Sequence, residues 1–327
     1  MSSNNRKTRV FVTRQIPQAG LDMLKEHYEV IVNPHNRVLT KEELMDGVKI
    51  ADGLLSLLTD DITAEVMDVN PNLKIISNYA VGYNNIDVEA ATKRGIQVTN
   101  TPGVLTDTTA DLAWALIMAI GRRVVEGDAF TREGHFDGWD PMLLLGTDIT
   151  GKTLGIVGMG RIGQAVARRA MGFDMRILYH DMAPVPVAEE EYQAEFVALD
   201  ELLRQSDFVT IHAPLTDETR HMIGRRELSV MKKTAYLVNT ARGPLVDEEA
   251  LVEALRDGII AGAGLDVYEN EPRLASGLAE LPNTVILPHL GSATLETRTK
   301  MATMAAANLV AALEGKRPPH IVNPEVL

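Results

Sequence analysis

Short apolar runs and helical stripes alternate from one end of the chain to the other. Residues 9–13 (RVFVT), 29–32, 52–57, 74–77 and 96–100 are strand-length apolar runs, with helical spacing at 20–27 and 84–94. The 84–94 segment places its acids first and its bases last, which suits the helix macrodipole. From Lys152 the alternation resumes, with apolar runs at 153–157, 176–180, 208–213, 235–239, 262–267 and 285–287. Helical patterns lie between them at 162–171, 199–204 and 248–256. Alternation of this kind predicts parallel sheets covered by helices, so two α/β units are expected. Between the units, 106–123 reads as a long apolar helix, followed by a Gly- and aromatic-rich loop at 134–139. After Pro288 one helix, about 294–313, ends at Gly315 with Pro318 and Pro319 beyond it. A lone helix cannot bury its own apolar face, so this one is expected to dock on one of the two units.

Composition narrows the function classes. A chain of 327 residues with 45% apolar and 24% charged residues has the make-up of a globular protein of about two domains. Lys and Arg number 32 against 45 Asp and Glu, and the net charge of −13 argues against a nucleic-acid binder, which needs a basic face. There is no cysteine, hence no disulfide, thiolate nucleophile or Cys-based metal site, and no metal is called for. Residues 1–9 are polar and basic without a following signal-like run, and the most apolar stretch, 112–120, is too short to span a bilayer. A soluble, cytoplasmic protein is expected.

The strongest chemical motif is Gly158-Met159-Gly160-Arg161-Ile162-Gly163. It follows an apolar strand (TLGIV) and opens a helix (IGQAVARRA), the setting in which GxGxxG cradles a dinucleotide pyrophosphate. The first Gly allows the tight turn, the second lets the backbone approach the pyrophosphate, and the third lets the helix pack on the strand. The helix N-terminus then offers unpaired N–H groups to the phosphates. Eighteen positions past Gly163 the next strand ends at Asp181, whose carboxylate can accept both ribose hydroxyls and would repel a 2′-phosphate. Met182 follows it rather than an Arg. NAD(H) is therefore the expected cofactor and NADP(H) the weaker option.

Three further segments sit at strand ends, where open α/β sheets bind ligands. Arg242, in NTARGP, has the planar fork that suits a carboxylate and its neighbouring carbonyl, although a surface ion-pair arginine is the plainer alternative. The second segment is DVYENEP, from Asp266, and the third is LPHLGS, with His289 just past the last strand. A Glu paired with that His would hold one imidazole tautomer and make a proton donor useful near neutrality. Reduction of a ketone by hydride needs such a donor, and Arg242 would stabilise the charge that develops on the oxygen.

Together GMGRIG, VNTARGPLVD (238–247), GAGLDVYENEP (262–272), PHLGSAT from Pro288, YAVGYNNID around Val81 and TPGVLTDTTADLAWAL from Thr101 resemble the D-isomer-specific 2-hydroxyacid dehydrogenases, most nearly the glyoxylate/hydroxypyruvate reductase branch. The resemblance implies two doubly wound, Rossmann-like domains with an active-site cleft between them. The substrate domain would be discontinuous, 1–100 plus 290–327, around a cofactor domain at 101–289, with hinges near Asn100 and Pro288. It implies Arg242 as the substrate-orienting group, Glu271 rather than the nearby Glu269 as the partner of His289, and His289 as acid and base. Val81 and Gly82 would hold the substrate carboxylate through backbone N–H groups, and Leu58 would shape the pocket. Thr108, Ala213, Pro214, Thr240, Asp266 and Gly291 would line the cofactor site, Asp266 facing the nicotinamide carboxamide. Trp139 resembles a residue that reaches into a partner subunit, and the 112–120 helix would form the surface of a homodimer, burial within one subunit being the alternative. The implied activity is NADH-dependent reduction of a small 2-oxo acid such as glyoxylate or hydroxypyruvate. Alternatives are a phosphite or other D-2-hydroxyacid dehydrogenase, or an NAD-sensing interaction protein of the corepressor kind. Formate oxidation would call for Gln where Glu271 stands.

Overall fold

The computed structural model describes residues 6–327; the start of the polar N-terminal run, 1–5, lies outside the described residues. The chain forms two compact units. The first runs to Leu105 and resumes at Ala293–Leu327, and the second is Thr106–Ser292. The crossovers lie a few residues beyond the expected 100/101 and 289/290.

The first unit is a five-stranded parallel sheet of β1 (Arg9–Val12), β2 (Glu29–Val32), β3 (Gly53–Ser56), β4 (Ile75–Asn78) and β5 (Gln97–Thr99), in the order β2-β1-β3-β4-β5. β3 and β4 are buried at every position, which is why they read as unbroken apolar runs and not as alternating ones. On one face Val10, Val12, Leu55 and Ile75 pack against Leu21 and Leu24 of the helix Gln18–His27 and against Met301, Ala305 and Leu309 of the helix Leu295–Leu313. The C-terminal helix is pinned by Ser77, whose hydroxyl donates to the Ala305 carbonyl at 3.0 Å, and by Tyr79, whose hydroxyl donates to that of Arg298 at 2.7 Å. The other face is covered by the helices Lys41–Lys49, Ala64–Asp68 and Val88–Lys93.

The second unit has seven parallel strands: β6 (Thr153–Val157), β7 (Arg176–His180), β8 (Glu195–Phe196), β9 (Phe208–Ile211), β10 (Tyr236–Asn239), β11 (Gly262–Leu265) and β12 (Thr284–Ile286). Their order is β12-β11-β10-β9-β6-β7-β8, so the winding reverses between β6 and β9. That reversal opens a crevice at the carboxyl ends of the two strands, where doubly wound sheets take their ligands. The helices Thr106–Gly121 and Arg161–Ala170 cover one face, and Leu199–Gln205, Arg225–Val230 and Glu248–Arg256 the other.

The α/β reading holds in both units, with some differences. The helix Lys41–Lys49 goes unread because it buries only Leu44 and Val48; its start is set by a capping box between Thr40 and Glu43. Helices Ala64–Asp68, Pro186–Tyr192 and Arg225–Val230 are too short to show a stripe. The expected 84–94 helix is only Val88–Lys93, because the Asp87 side chain caps it by accepting from Ala90 N–H.

The 112–120 helix, expected at a dimer surface, turns one face into its own unit and leaves Ala115 exposed on the other. Ala113, Trp114, Leu116, Ile117 and Ile120 are at most 6% exposed, packed inside the second unit. Trp114 donates to the Val166 carbonyl at 3.2 Å and stacks on Phe173, so the inward face is apolar because it lies in a core. The helix that follows, Val124–Arg132, buries no residue, and Val124, Val125, Phe136, Trp139, Met142 and Leu145 are all exposed.

Candidate active site

The glycine loop joins β6 to the helix Arg161–Ala170 at the winding reversal. Gly158 has φ +93°, and a Cβ there would lie 2.6 Å from the backbone nitrogen of Ala213, at the end of β9. A Cβ on Gly163 would collide with the Gly158 carbonyl oxygen, whereas one on Gly160 would meet nothing within 4 Å. Two of the glycines thus close the turn, and the third leaves open space above it, which is the form a pyrophosphate requires. The helix has Gly160 as its N-cap without a capping side chain, and no acid in its first turn, so its leading N–H groups remain available to an anion. Arg161 is exposed at that end, and Ile162 is half-buried behind it.

Asp181 reaches this loop. One carboxylate oxygen accepts the Met159 N–H at 2.7 Å and the other accepts the Met182 N–H at 2.7 Å. Each oxygen keeps a further lone pair for a hydroxyl. Met182 is fully exposed and offers no cation to a phosphate. Pro214 follows Ala213 on the β9 side of the crevice. At the end of β10 the Thr240 hydroxyl is buried without a hydrogen-bond partner among the described residues, the situation of a group awaiting a ligand. A dinucleotide fits these residues.

The acid–base groups come from the ends of β10, β11 and β12. Nδ1 of His289 lies 2.9 Å from Oε2 of Glu271, and the other Glu271 oxygen accepts the Tyr268 N–H at 3.1 Å. Burial alone would raise the Glu271 carboxyl. The His289 hydrogen bond and charge, the Tyr268 N–H and the Arg242 charge outweigh it and hold Glu271 below the usual carboxylate range. Burial lowers the Arg242 guanidinium, with the Glu271 charge pulling the other way. Glu269 turns elsewhere, its Oε1 lying 2.7 Å from Nε2 of His221.

The supports of these side chains are only partly legible in the sequence. Arg242 follows a turn in which the Asn239 amide donates to the Arg242 carbonyl and accepts the Ala241 N–H. Gly243 is obligatory, since a Cβ there would overlap the carbonyl of Tyr268. The absent side chain lets the Arg242 loop lie against the loop that carries Glu271. Asp266 is wholly buried at the end of β11 and accepts the N–H groups of Leu290 and Gly291 at 2.6 and 2.8 Å. Burial pushes its carboxyl up, against the pull of those N–H groups and of His289. Its visible work is to clamp the turn that carries His289, whose φ of +58° is left-handed and sparsely populated for a residue with a side chain. The Gly291 carbonyl is held in turn by the Thr109 hydroxyl at 3.1 Å, one residue beyond Thr108 on the helix Thr106–Gly121.

Sequence reasoning missed Glu248. Its buried carboxylate accepts the N–H of Glu269 at 2.7 Å and that of Ala275 at 2.9 Å, bracketing the segment that contains Glu271. The sequence shows Glu248 only as an acid in a first helical turn, which needs no further explanation. Among the substrate candidates, Leu58 follows β3 and Val81–Gly82 follow β4, all in the first unit, while Trp139 is 85% exposed in the second.

Residues 114–291 match the family described as D-isomer specific 2-hydroxyacid dehydrogenase, NAD binding domain. Over 325 residues the chain is 55% identical to a glyoxylate reductase of Thermococcus gammatolerans, covering 98% of this chain and 97% of that one. A solved structure from Thermus thermophilus shares 52% identity with a TM-score of 0.91, covering 96% of this chain and 100% of that one. An NADPH-dependent glyoxylate/hydroxypyruvate reductase of Sinorhizobium meliloti, solved with NADP and malonate, is 33% identical with a TM-score of 0.86, covering 98% and 97%. No helix among the described residues is long and apolar enough to cross a membrane.

Proposed function

The chain belongs to the D-isomer specific 2-hydroxyacid dehydrogenase family, and on that premise we propose that it reduces glyoxylate, and hydroxypyruvate beside it, to the 2-hydroxy acid with NADH preferred over NADPH. It is a nicotinamide-dependent dehydrogenase. The observation that carries the proposed chemistry is the bond from Nδ1 of His289 to Glu271, with Arg242 beside that carboxylate. With Nδ1 fixed, Nε2 is the nitrogen left to exchange a proton with substrate.

A nicotinamide cofactor held at this site would supply hydride to C2 of the oxo acid. Protonated His289 gives its Nε2 proton to the carbonyl oxygen as negative charge gathers there. Arg242 holds the carboxylate and the same oxygen, and Glu271 stabilises the imidazolium and fixes its tautomer. In the oxidative direction neutral His289 takes the hydroxyl proton. Gly158, Gly160, Gly163, Arg161 and Ile162 would hold the pyrophosphate; Asp181 the adenosine ribose; and Thr108, Ala213, Pro214, Thr240, Asp266 and Gly291 the rest. Val81 and Gly82 would supply backbone N–H groups to the substrate carboxylate, with Leu58 beside them.

NADH preference rests on Asp181, whose negative charge opposes a 2′-phosphate, and on the lack of an Arg at Met182. A homodimer is part of the proposal. A helix that buries nothing, followed by Phe136, Trp139, Met142 and Leu145 in the open, needs a cover, and a second copy supplies one. Initial rates of NADH and NADPH oxidation with glyoxylate test the reading. Turnover with NADH severalfold better than with NADPH is expected. No turnover with either cofactor would overturn it and favour phosphite or an NAD-sensing role.

A further inference from the structure

The loop after β4 has an ordered set of anchors. The Ala80 carbonyl accepts the Thr101 N–H at 2.9 Å, the Val81 carbonyl accepts the Asn100 side-chain amide at 2.8 Å, and the Gly82 carbonyl accepts the Asn78 amide at 2.9 Å. Three consecutive carbonyls are thus tied to the body of the first unit. In a trans peptide the N–H points opposite to the carbonyl of the same plane. Tying these three carbonyls down therefore turns the N–H groups of Val81, Gly82 and Tyr83 the other way. None of the three finds an acceptor among the described residues.

The anchors are themselves fixed. Asn78 is completely buried, and its amide also donates to Asn85 Oδ1 at 3.0 Å while its oxygen accepts the Ser56 hydroxyl at 3.1 Å. Asn85 in turn donates to the carbonyls of Leu57 and Asp60, tying the loop after β3, where Leu58 lies, to the loop after β4. The Asn100 backbone is held by His320 and by the Asn308 amide.

We propose that Asn78 and Asn100 are positioning residues, which aim the N–H groups of Val81, Gly82 and Tyr83 as one row at a small carboxylate. The proposal rests on the reading of Val81 and Gly82 as carboxylate donors and adds what orients them. A row of N–H groups pointing one way makes a concavity for an anion, and a single carboxylate matches it in size.

The test is Asn100→Ala, which removes the donor without adding a charge, with Asn78→Ser as a second variant at the neighbouring carbonyl. The KM for glyoxylate and the Ki of oxamate should each rise about tenfold, the loss expected for one orienting hydrogen bond. The kcat should change less than twofold, and NADH binding, read by fluorescence titration, should not change. A residue that merely supports the fold would lower the melting temperature without separating KM from kcat. If both variants fold and oxamate binds them as tightly as the wild type, the proposal is overturned. If the wild type fails to reduce glyoxylate, the reductase reading falls instead. Calorimetric titration of oxamate into NADH-loaded wild type and variants, which needs no turnover, then still decides whether the asparagines aim the row.

Discussion

Two of the histidine–glutamate pairs in the second unit are nearly alike in their local geometry. His289 meets Glu271 at 2.9 Å and His221 meets Glu269 at 2.7 Å, and both histidines have a left-handed backbone, φ +58° and +53°. The two glutamates are two residues apart. The difference is in which nitrogen is spent. Glu271 takes Nδ1, the nitrogen near the main chain, and leaves Nε2 at the far end of the ring. Glu269 takes Nε2, and what remains on His221 is the nitrogen crowded against its own backbone. The surroundings differ too: Glu271 has Arg242 beside it, whereas Glu269 bonds back to Glu248 and fastens a loop. A His–carboxylate contact is therefore no sign of acid–base work until the tautomer it enforces and the charges around it are known.

That contrast can be broken or sharpened by mutation. His289→Gln should lower kcat for glyoxylate reduction by about 10²–10⁴, the usual worth of a positioned proton donor, with NADH affinity intact. Retention of full activity would remove the acid–base assignment. Glu271→Gln should cost about tenfold to a hundredfold, because the hydrogen bond survives and the stabilising charge does not. The sign of the pH dependence follows from Glu271. A carboxyl held below its ordinary value contributes its charged pair fully above that value and loses it only as pH falls through the depressed one. The wild-type reduction rate should therefore persist as pH is lowered through the ordinary glutamate range, about 4.3. An acid limb centred well above that, in rates taken before any acid inactivation, would contradict the charged pair. Glu248→Ala should destabilise the protein by about 2 kcal/mol, since two N–H groups lose their acceptor. Thermal unfolding reads that loss, and kcat should fall modestly because Glu271 sits inside the bracket. The smallest effect belongs to His221→Gln, expected to leave kcat within about threefold of wild type; a loss approaching that of His289→Gln would erase the distinction.

The parts of the molecule most legible in the sequence are those where one physical demand dominates. The glycines at 158, 160 and 163 announce a turn because a side chain would collide at two of them and fill the ligand space at the third. The buried strands declare themselves as apolar runs since both faces are covered. The helix at 112–120 is legible as apolar but not as buried within its own unit, because an interface and a core select the same side chains. Glu248, Asn78 and Asn100 are invisible for a different reason. Each acts through hydrogen bonds to backbone atoms that no local pattern marks, and a polar residue at a helix start or strand end carries no sign of such a partner. The choice between Glu269 and Glu271 is likewise beyond spacing alone, since both stand within reach of the turn.

The chain completes its first sheet at Thr99, yet a helix that covers one face of that sheet, Leu295–Leu313, is made about 200 residues later. At a synthesis rate of about 10 residues per second that is a delay on the order of 20 s. Throughout it, Leu55 and Ile75 have no partner from that helix, while the second unit emerges whole and in sequence. The order of maturation on the ribosome is thus inverted: the unit begun second is finished first, and the N-terminal strands await the last helix of the chain.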